Sequence, residues 1–230
     1  MVNALITGGS SGVGEYLARR LKQDTSNQVM ITGRNERRMQ KLKDEIGVSY
    51  AIADVGNSNL AEEIVKQAIS EMGSIDILVV NAGVGRFKLT QDFTDEDIDL
   101  ILNTNIKGVF NYLRPGITHM LERNSGQIIA TSSNLGFEVT ARGSLYCASK
   151  HALQAIMGSL REELKGTKIK VATVNPGSID TPWYKDYSDQ PKNHRLDVEE
   201  VVEAFMLVIN QGERSNIDHI LLDPANQRLN

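Results

Sequence analysis

The sequence predicts an α/β fold, a doubly wound parallel sheet of about seven strands with helices on both faces, in one domain spanning residues 1–230. Three observations carry that expectation. Short, β-branched apolar runs alternate with longer amphipathic stretches along the whole chain, the rhythm of βαβ units. The first apolar run leads straight into a glycine-rich turn and then a helical pattern. Strands and helices together use nearly all of the 230 residues, with no Pro/Ser-rich linker, repeat or low-complexity tract between them.

The strand candidates, in order, are Ala4–Thr7, Val29–Thr32, Tyr50–Ala53, Ile75–Val80, Gln127–Thr131, Lys170–Val174 and Ile217–Leu222. Helical periodicity fills the intervals at about 13–22, 35–45, 58–72, 95–122, 144–165 and 198–211, by recurrence of apolar residues every three to four positions. Two helices are apolar over more than one face. The stretch 95–122 carries Ile98, Leu100, Ile101, Leu102, Ile106, Val109 and Phe110, and 144–165 carries Leu145, Ala148, Ala152, Leu153, Ile156, Met157, Leu160 and Leu164. A helix buried on one side shows one stripe, so the surplus points to a second copy of the chain. Gly177–Leu196 has no clear period. A loop of that length in a compact domain is usually a lid or binding loop, and a short substrate lid is expected at about 179–196.

Composition excludes several classes. Hydrophobic residues are 40% and charged residues 23% of the chain, with 25 Lys and Arg against 29 Asp and Glu. That is ordinary globular composition, and a net charge of −4 offers no basic footprint for nucleic acid or an anionic membrane. No apolar run approaches the roughly 18 residues that cross a bilayer, and the first residues show no secretory signal. The single cysteine, Cys147, forms no internal disulfide and suits a cytoplasmic protein. Histidines at 119, 151, 194 and 219 lack metal-ligand spacing, so no metal is expected.

The first strand ends in Thr7-Gly8-Gly9-Ser10-Ser11-Gly12-Val13-Gly14. Glycines allow a tight turn and close approach of backbone to a ligand, and the free N–H groups at a helix start favour a pyrophosphate. Five further signatures follow in order: Asn81-Ala82-Gly83 after the fourth strand, Asn105-Ile106-Lys107-Gly108, Thr131-Ser132-Ser133, Tyr146-Cys147-Ala148-Ser149-Lys150, and Asn175-Pro176-Gly177 with Thr181 beyond. The T-G-x-x-x-G-x-G turn and the Tyr-x-x-x-Lys pair, thirteen residues after Ser133, resemble the short-chain dehydrogenase/reductase family. Together the motifs extend from residue 7 to residue 181.

The resemblance implies a Rossmann-like fold and an NAD(P)-dependent oxidoreductase that moves a hydride between cofactor and a small carbonyl or alcohol substrate. By that likeness Tyr146 is the general acid/base, Ser133 orients the substrate oxygen, Lys150 holds the nicotinamide ribose, and Asn105 keeps a water that relays protons to Lys150. A phenol is a poor acid or base near neutrality, and a nearby ammonium is expected to lower its pKa. The same likeness assigns cofactor contacts to Thr7, Gly8, Ser10, Ser11, Gly12, Val13, Gly14, Asn81, Ala82, Gly83, Pro176, Gly177, Ile179 and Thr181, with Asp54 and Val55 on the adenine. Cys147 beside Tyr146 reads as a small buried filler.

The residue closing the second strand distinguishes the cofactors. An acidic side chain there accepts from the ribose hydroxyl. This chain has Gly33 followed by Arg34, and a guanidinium suits a phosphate dianion. NADP(H) is therefore expected over NAD(H). Arg37, Arg38 and Lys41 read as a solvated basic face. Ser11 stands where many NADP-dependent relatives carry a second basic residue. The substrate pocket should be lined by Val84, Gly85, Arg86 and Phe87, by 135–143 with Glu138 and Arg142, and by Trp183 and Tyr184. Relatives commonly form homodimers or homotetramers through the two long helices. A catalytically silent dinucleotide sensor on the same fold is the rival reading; a methyltransferase would leave Tyr146, Lys150 and Pro176-Gly177 without a purpose.

Overall fold

The computed structural model describes residues 1–185 and 194–225, with only the backbone at Tyr184 and Lys185. Among the described residues, seven strands form one sheet: β1 Asn3–Ile6, β2 Gln28–Gly33, β3 Ser49–Ile52, β4 Ile77–Val80, β5 Gly126–Thr131, β6 Ile169–Pro176 and β7 His219–Leu222. Their order is β3-β2-β1-β4-β5-β6-β7, and every adjacent pair is parallel. The helices are α1 Gly12–Leu21, α2 Glu36–Ile46, α3 Ser58–Met72, α4 Asp95–Leu102, α5 Gly108–Arg123, α6 Ser144–Glu163, α7 Pro182–Lys185 and α8 Val198–Ile209.

A parallel sheet is covered on both faces, so its strands are apolar on both sides. In β1, Ala4 and Ile6 join a core with Leu17 of α1, Met39 and Leu42 of α2 and Phe205 of α8. Leu5 between them faces the other core, with Ile64 of α3, Tyr112 of α5 and Met157 of α6. The chain winds from β1 out to β3, then returns through α3 to place β4 on the other flank of β1. That reversal opens a crevice beyond the carboxyl ends of β1 and β4, the place where open α/β sheets bind ligands.

Two sequence expectations need correction. The stretch 95–122 is not one uninterrupted α-helix: Asn103–Lys107 forms a turn of π-helix between α4 and α5. Periodicity cannot show a widening of one residue. Its physical reasons lie across the fold, where Asn105 is drawn onto the backbone of Val84 and Gly108 is pressed so close to Val55 that a Cβ would sit 2.7 Å from its Cγ2. The segment 177–196 is also less irregular than its sequence. A parallel bridge joins Ile179 to Leu196, the buried Arg195 guanidinium lies 3.3 Å from Asp180, and α7 falls between them. The middle of the expected lid, 186–193, lies outside the described residues.

Candidate active site

Thr7, at the end of β1, is 2% exposed. Its hydroxyl accepts from the backbone N–H of Asn81 at 2.9 Å and Ala82 at 3.0 Å. Asn81 returns the contact by donating to the Thr7 carbonyl at 2.9 Å, and Thr131 donates to Asn81 Oδ1 at 2.9 Å. Three strand ends are thus stitched together before any ligand is considered. The glycines make the stitching possible. Gly8 sits at φ 67° with Ala82 Cα 2.9 Å from where its Cβ would lie, and a Cβ on Gly14 would meet Gly8 O and Asn81 Nδ2 at 2.6 Å. Ser11, at the N-cap of α1, makes no side-chain capping bond, so the first N–H groups of α1 are left facing the crevice.

The crevice encloses about 980 Å³. Its walls include Gly8, Ser10, Ser11, Gly12, Val13, Arg34, Asp54, Val55, Asn81, Ala82, Gly83, Ser133, Tyr146, Lys150, Pro176, Gly177, Ile179 and Thr181. Of the catalytic and cofactor residues singled out from sequence, Thr7, Gly14 and Asn105 stand behind the wall rather than in it, and of the expected substrate-pocket residues Gly85 and Arg86 do not line it.

At the inner end, Tyr146 and Lys150 project from one face of α6, both buried. Lys150 Nζ donates to the Thr131 carbonyl at 3.0 Å and lies 5.6 Å from the Tyr146 ring centre. Ser133, at the start of the loop after β5, lines the crevice together with Tyr146, its hydroxyl 3.1 Å from both Asn134 Oδ1 and the Leu135 N–H. Asn105 Oδ1 accepts from Val84 N–H at 2.9 Å, while its amide donates to Val84 O at 2.9 Å and Ser149 Oγ at 3.0 Å. Both donors of Asn105 are therefore committed, and one acceptor position on Oδ1 remains. Asn105 Oδ1 and Lys150 Nζ both lie 3.6 Å from the point where Gly83 would carry a Cβ, so the glycine keeps that gap clear.

In the chain by itself, the ammonium does not set the state of the phenol, contrary to the sequence expectation. Burial pushes Tyr146 well above the ordinary phenol value, and the Ser133 hydroxyl is the group that pulls it down. Burial likewise lowers Lys150 from 10.5 to about 8. The unfolded chain then binds more protons at this lysine than the folded one. The folded state is least favoured below about 8, and stability recovers as pH rises from there toward 10.5. Wild-type protein should gain about 1 kcal/mol between about pH 7 and about pH 9 from this group, a gain absent from Lys150→Met. Urea midpoints of both proteins at the two pH values measure it; equal slopes would show that Lys150 is not desolvated.

At the outer end, Arg34 Nη1 lies 3.9 Å from Asp54 Oδ2, with both side chains more than half exposed. Val55 behind them is fixed by Asn111 of α5, which donates to its carbonyl at 2.8 Å. Gly33 is crowded: a Cβ there would meet Ser10 Oγ at 2.9 Å and Met39 Sδ at 3.0 Å. An acidic side chain at this position therefore needs a smaller neighbour at 10.

On the substrate side, Phe87 and Trp183 pack around Tyr146, with ring centres 5.4 Å and 5.7 Å from it. Gly85 makes room, since a Cβ would be 2.7 Å from Trp183 Cζ2. The expected pocket residues Val84, Phe87, Leu135, Glu138, Arg142 and Trp183 line the same crevice; the Tyr184 side chain lies outside the described residues. Cys147 is 2% exposed, as a filler should be. Asn134 in the crevice wall, with Asp223 and Asn111 bonded behind the wall to Asn134 and Val55, carry no motif and become visible only in the folded chain.

A family model described as short chain dehydrogenase matches residues 2–192. An oxidoreductase of Staphylococcus epidermidis is 32% identical over 224 residues, 96% of each chain. The closed form of a serine dehydrogenase complexed with NADP+ superposes with a TM-score of 0.90 at 32% identity, covering 99% of this chain and 96% of its own. The serine dehydrogenase of Escherichia coli gives a TM-score of 0.88 at 33% identity, with 99% of both chains covered. With the motifs gathered along one crevice and the family model spanning most of its length, the chain belongs to the short-chain dehydrogenase family.

Proposed function

We propose that this chain is an NADP(H)-dependent oxidoreductase that interconverts a small alcohol and its carbonyl, with Tyr146 as general acid/base. The convergence of Ser133, Tyr146 and Lys150 at the closed end of a glycine-walled cleft carries the reading. The residues fit a dinucleotide. Bare glycine backbone and the uncapped start of α1 suit the pyrophosphate, and Arg34 at the far end suits a ribose phosphate. Bound nicotinamide supplies or takes up the hydride.

Tyr146 gives its proton to the carbonyl oxygen in reduction and removes the alcohol proton in oxidation, and Ser133 hydrogen-bonds the same oxygen. Lys150 holds the ribose. Asn105 fixes the Val84 loop, and its remaining lone pair is the place for a water directed toward Lys150. The segment 179–196 acts as a short lid. A screen of alcohols and carbonyls with both nicotinamide cofactors tests the reading. It begins with serine, for which both solved relatives are named. Turnover with one class supports the assignment; cofactor binding without turnover on any of them favours the silent sensor.

We also propose a homodimer or homotetramer. Much of the surplus apolar surface of α6 is spent inside the chain, where Leu153, Met157, Leu160 and Leu164 are core residues. Leu102, Phe110 and Leu121 along α4 and α5 remain 42%, 44% and 47% exposed. Sedimentation at micromolar concentration should show an oligomer, and Phe110→Lys should shift it to monomer; a wild-type monomer would refute the assembly. None of the described helices is long and apolar enough to cross a membrane.

A further inference from the structure

Asp97, in the first turn of α4, is buried, and two cations from a neighbouring segment meet on it. Lys88 Nζ donates to Asp97 Oδ2, and Arg86 Nε lies 3.8 Å from Asp97 Oδ1. The Lys88 ammonium, helped by the Thr94 N–H, holds the Asp97 carboxyl below the usual carboxylate range, so the acceptor is an anion at neutral pH. Capping of α4 accounts for only part of this side chain: Thr94 N–H donates to Asp97 Oδ2 at 3.2 Å, and Asp97 N–H donates to Thr94 Oγ1 at 3.3 Å. Between the two cations stands Phe87. No helix or turn interrupts 81–89, and alternate residues of an extended chain face opposite ways. With residues 86 and 88 drawn to Asp97, Phe87 is turned into the crevice wall. There its ring lies 5.4 Å from that of Tyr146 and 6.4 Å from that of Trp183. The same segment also holds the loop opposite. Lys88 N–H donates to the Arg142 carbonyl at 2.9 Å. Arg142 has φ 65°, a region that residues other than glycine rarely adopt and keep only where neighbours fix it.

We infer that Asp97 is a positioning residue for the substrate half of the crevice: by clamping Arg86 and Lys88 it presses Phe87 against Tyr146 and Trp183, and so sets how bulky a group beside the reacting carbon can be. The inference rests on the reaction proposed above for where the substrate sits, but the clamp itself is readable without turnover. The Lys88 and Arg86 side chains are 37% and 38% exposed, and ion pairs this open add little to stability. Their effect falls on where Phe87 stands.

Trp183 is the single tryptophan of the chain, so tryptophan emission reports this wall alone. In Asp97→Asn the side chain keeps its size and still accepts from Thr94 N–H, while the charge that gathers Arg86 and Lys88 is gone. Acrylamide quenching of Trp183 in the full-length protein without cofactor should rise about twofold as the Phe87 ring gains freedom. Asp97 does not line the crevice, so NADPH affinity should stay within about twofold of wild type, and the melting temperature should fall little. Phe87→Leu should raise the quenching directly, and adding Asp97→Asn to it should change nothing more, as expected of residues that act through one contact. Thr94→Ala removes the capping hydroxyl and leaves both cations on Asp97; it should lower the melting temperature without changing the quenching. Where Asp97→Asn fails to fold, Lys88→Met decides, because it opens the clamp and leaves the cap whole. Wild-type quenching in the folded variant overturns the proposal, as does an equal rise in Thr94→Ala or an additive double variant. In turnover with the alcohol or carbonyl that the screen selects, Asp97→Asn should raise KM about fivefold with kcat nearly unchanged. Its preference over a homologue one carbon longer should narrow. If wild type turns over nothing while the quenching responds, the oxidoreductase reading has failed and the clamp stands. If wild type turns over and KM does not move, the clamp has no part in the substrate site and the proposal is overturned.

Discussion

Replacing Tyr146 by Phe is expected to lower turnover by about a hundredfold or more, the scale on which a positioned acid or base contributes. The change removes one oxygen and leaves the ring where it packs, between Phe87 and Trp183 with centres 5.4 Å and 5.7 Å away. The buried site is not opened, Lys150 keeps its bond to the Thr131 carbonyl, and the glycine wall of the cleft is untouched. Cofactor affinity and thermal stability should therefore stay near wild type while kcat collapses. The pairing of the two measurements matters. A variant that loses both has lost its fold rather than its acid, and a variant that keeps near-normal turnover shows that another group transfers the proton. The pH profile adds a second check. Burial holds the phenol protonated far above neutrality, so reduction should have its acid in place across the neutral range.

Much of this is legible in the sequence because the parts that do chemistry are short and ordered. The seven strands stand out because a parallel sheet is apolar on both faces, and the spacing from Tyr146 to Lys150 places both on one helix face whatever surrounds them. What stays hidden depends on pairs distant in sequence. The π turn at Asn103–Lys107 follows from the bonds of Asn105 to Val84, 21 residues away. Asn134 and Asp223 are an ordinary strand-end amide and an ordinary tail carboxylate until β7 lies beside β6 and brings them within 3.0 Å. The state of Tyr146 escapes the sequence for a related reason. Residue spacing shows that an ammonium is near a phenol; it does not show how much water has been removed from both, and here desolvation outweighs the neighbour. The tight fit at Gly33 is of the same kind, because Ser10 and Met39 reach it from two different elements.

That fit decides how the cofactor preference can be reversed. Replacing Arg34 by Ala should weaken NADPH by about one to two decades, the value of a charge-assisted hydrogen bond of roughly 1.5–3 kcal/mol, and leave NADH nearly unchanged. Arg34 is 66% exposed and is held by a 3.9 Å contact with the similarly open Asp54, so little of the folded state depends on it and the loss should appear in binding alone. The NADPH contact should also weaken with rising salt, as exposed charge pairs are screened. Turning the preference toward NADH needs an acceptor for the ribose hydroxyls at position 33, and Gly33→Asp alone places its Cβ 2.9 Å from Ser10 Oγ. Combining it with Ser10→Gly and Arg34→Ala removes that obstacle and the phosphate's partner together, while the new carboxylate repels a 2′-phosphate. Dissociation constants of both reduced cofactors for wild type, Arg34→Ala and the triple variant provide the comparison. If wild type binds the two equally, or Arg34→Ala weakens both alike, Arg34 belongs to the solvated face with Arg37 and Arg38, and the preference for NADP(H) has to be abandoned.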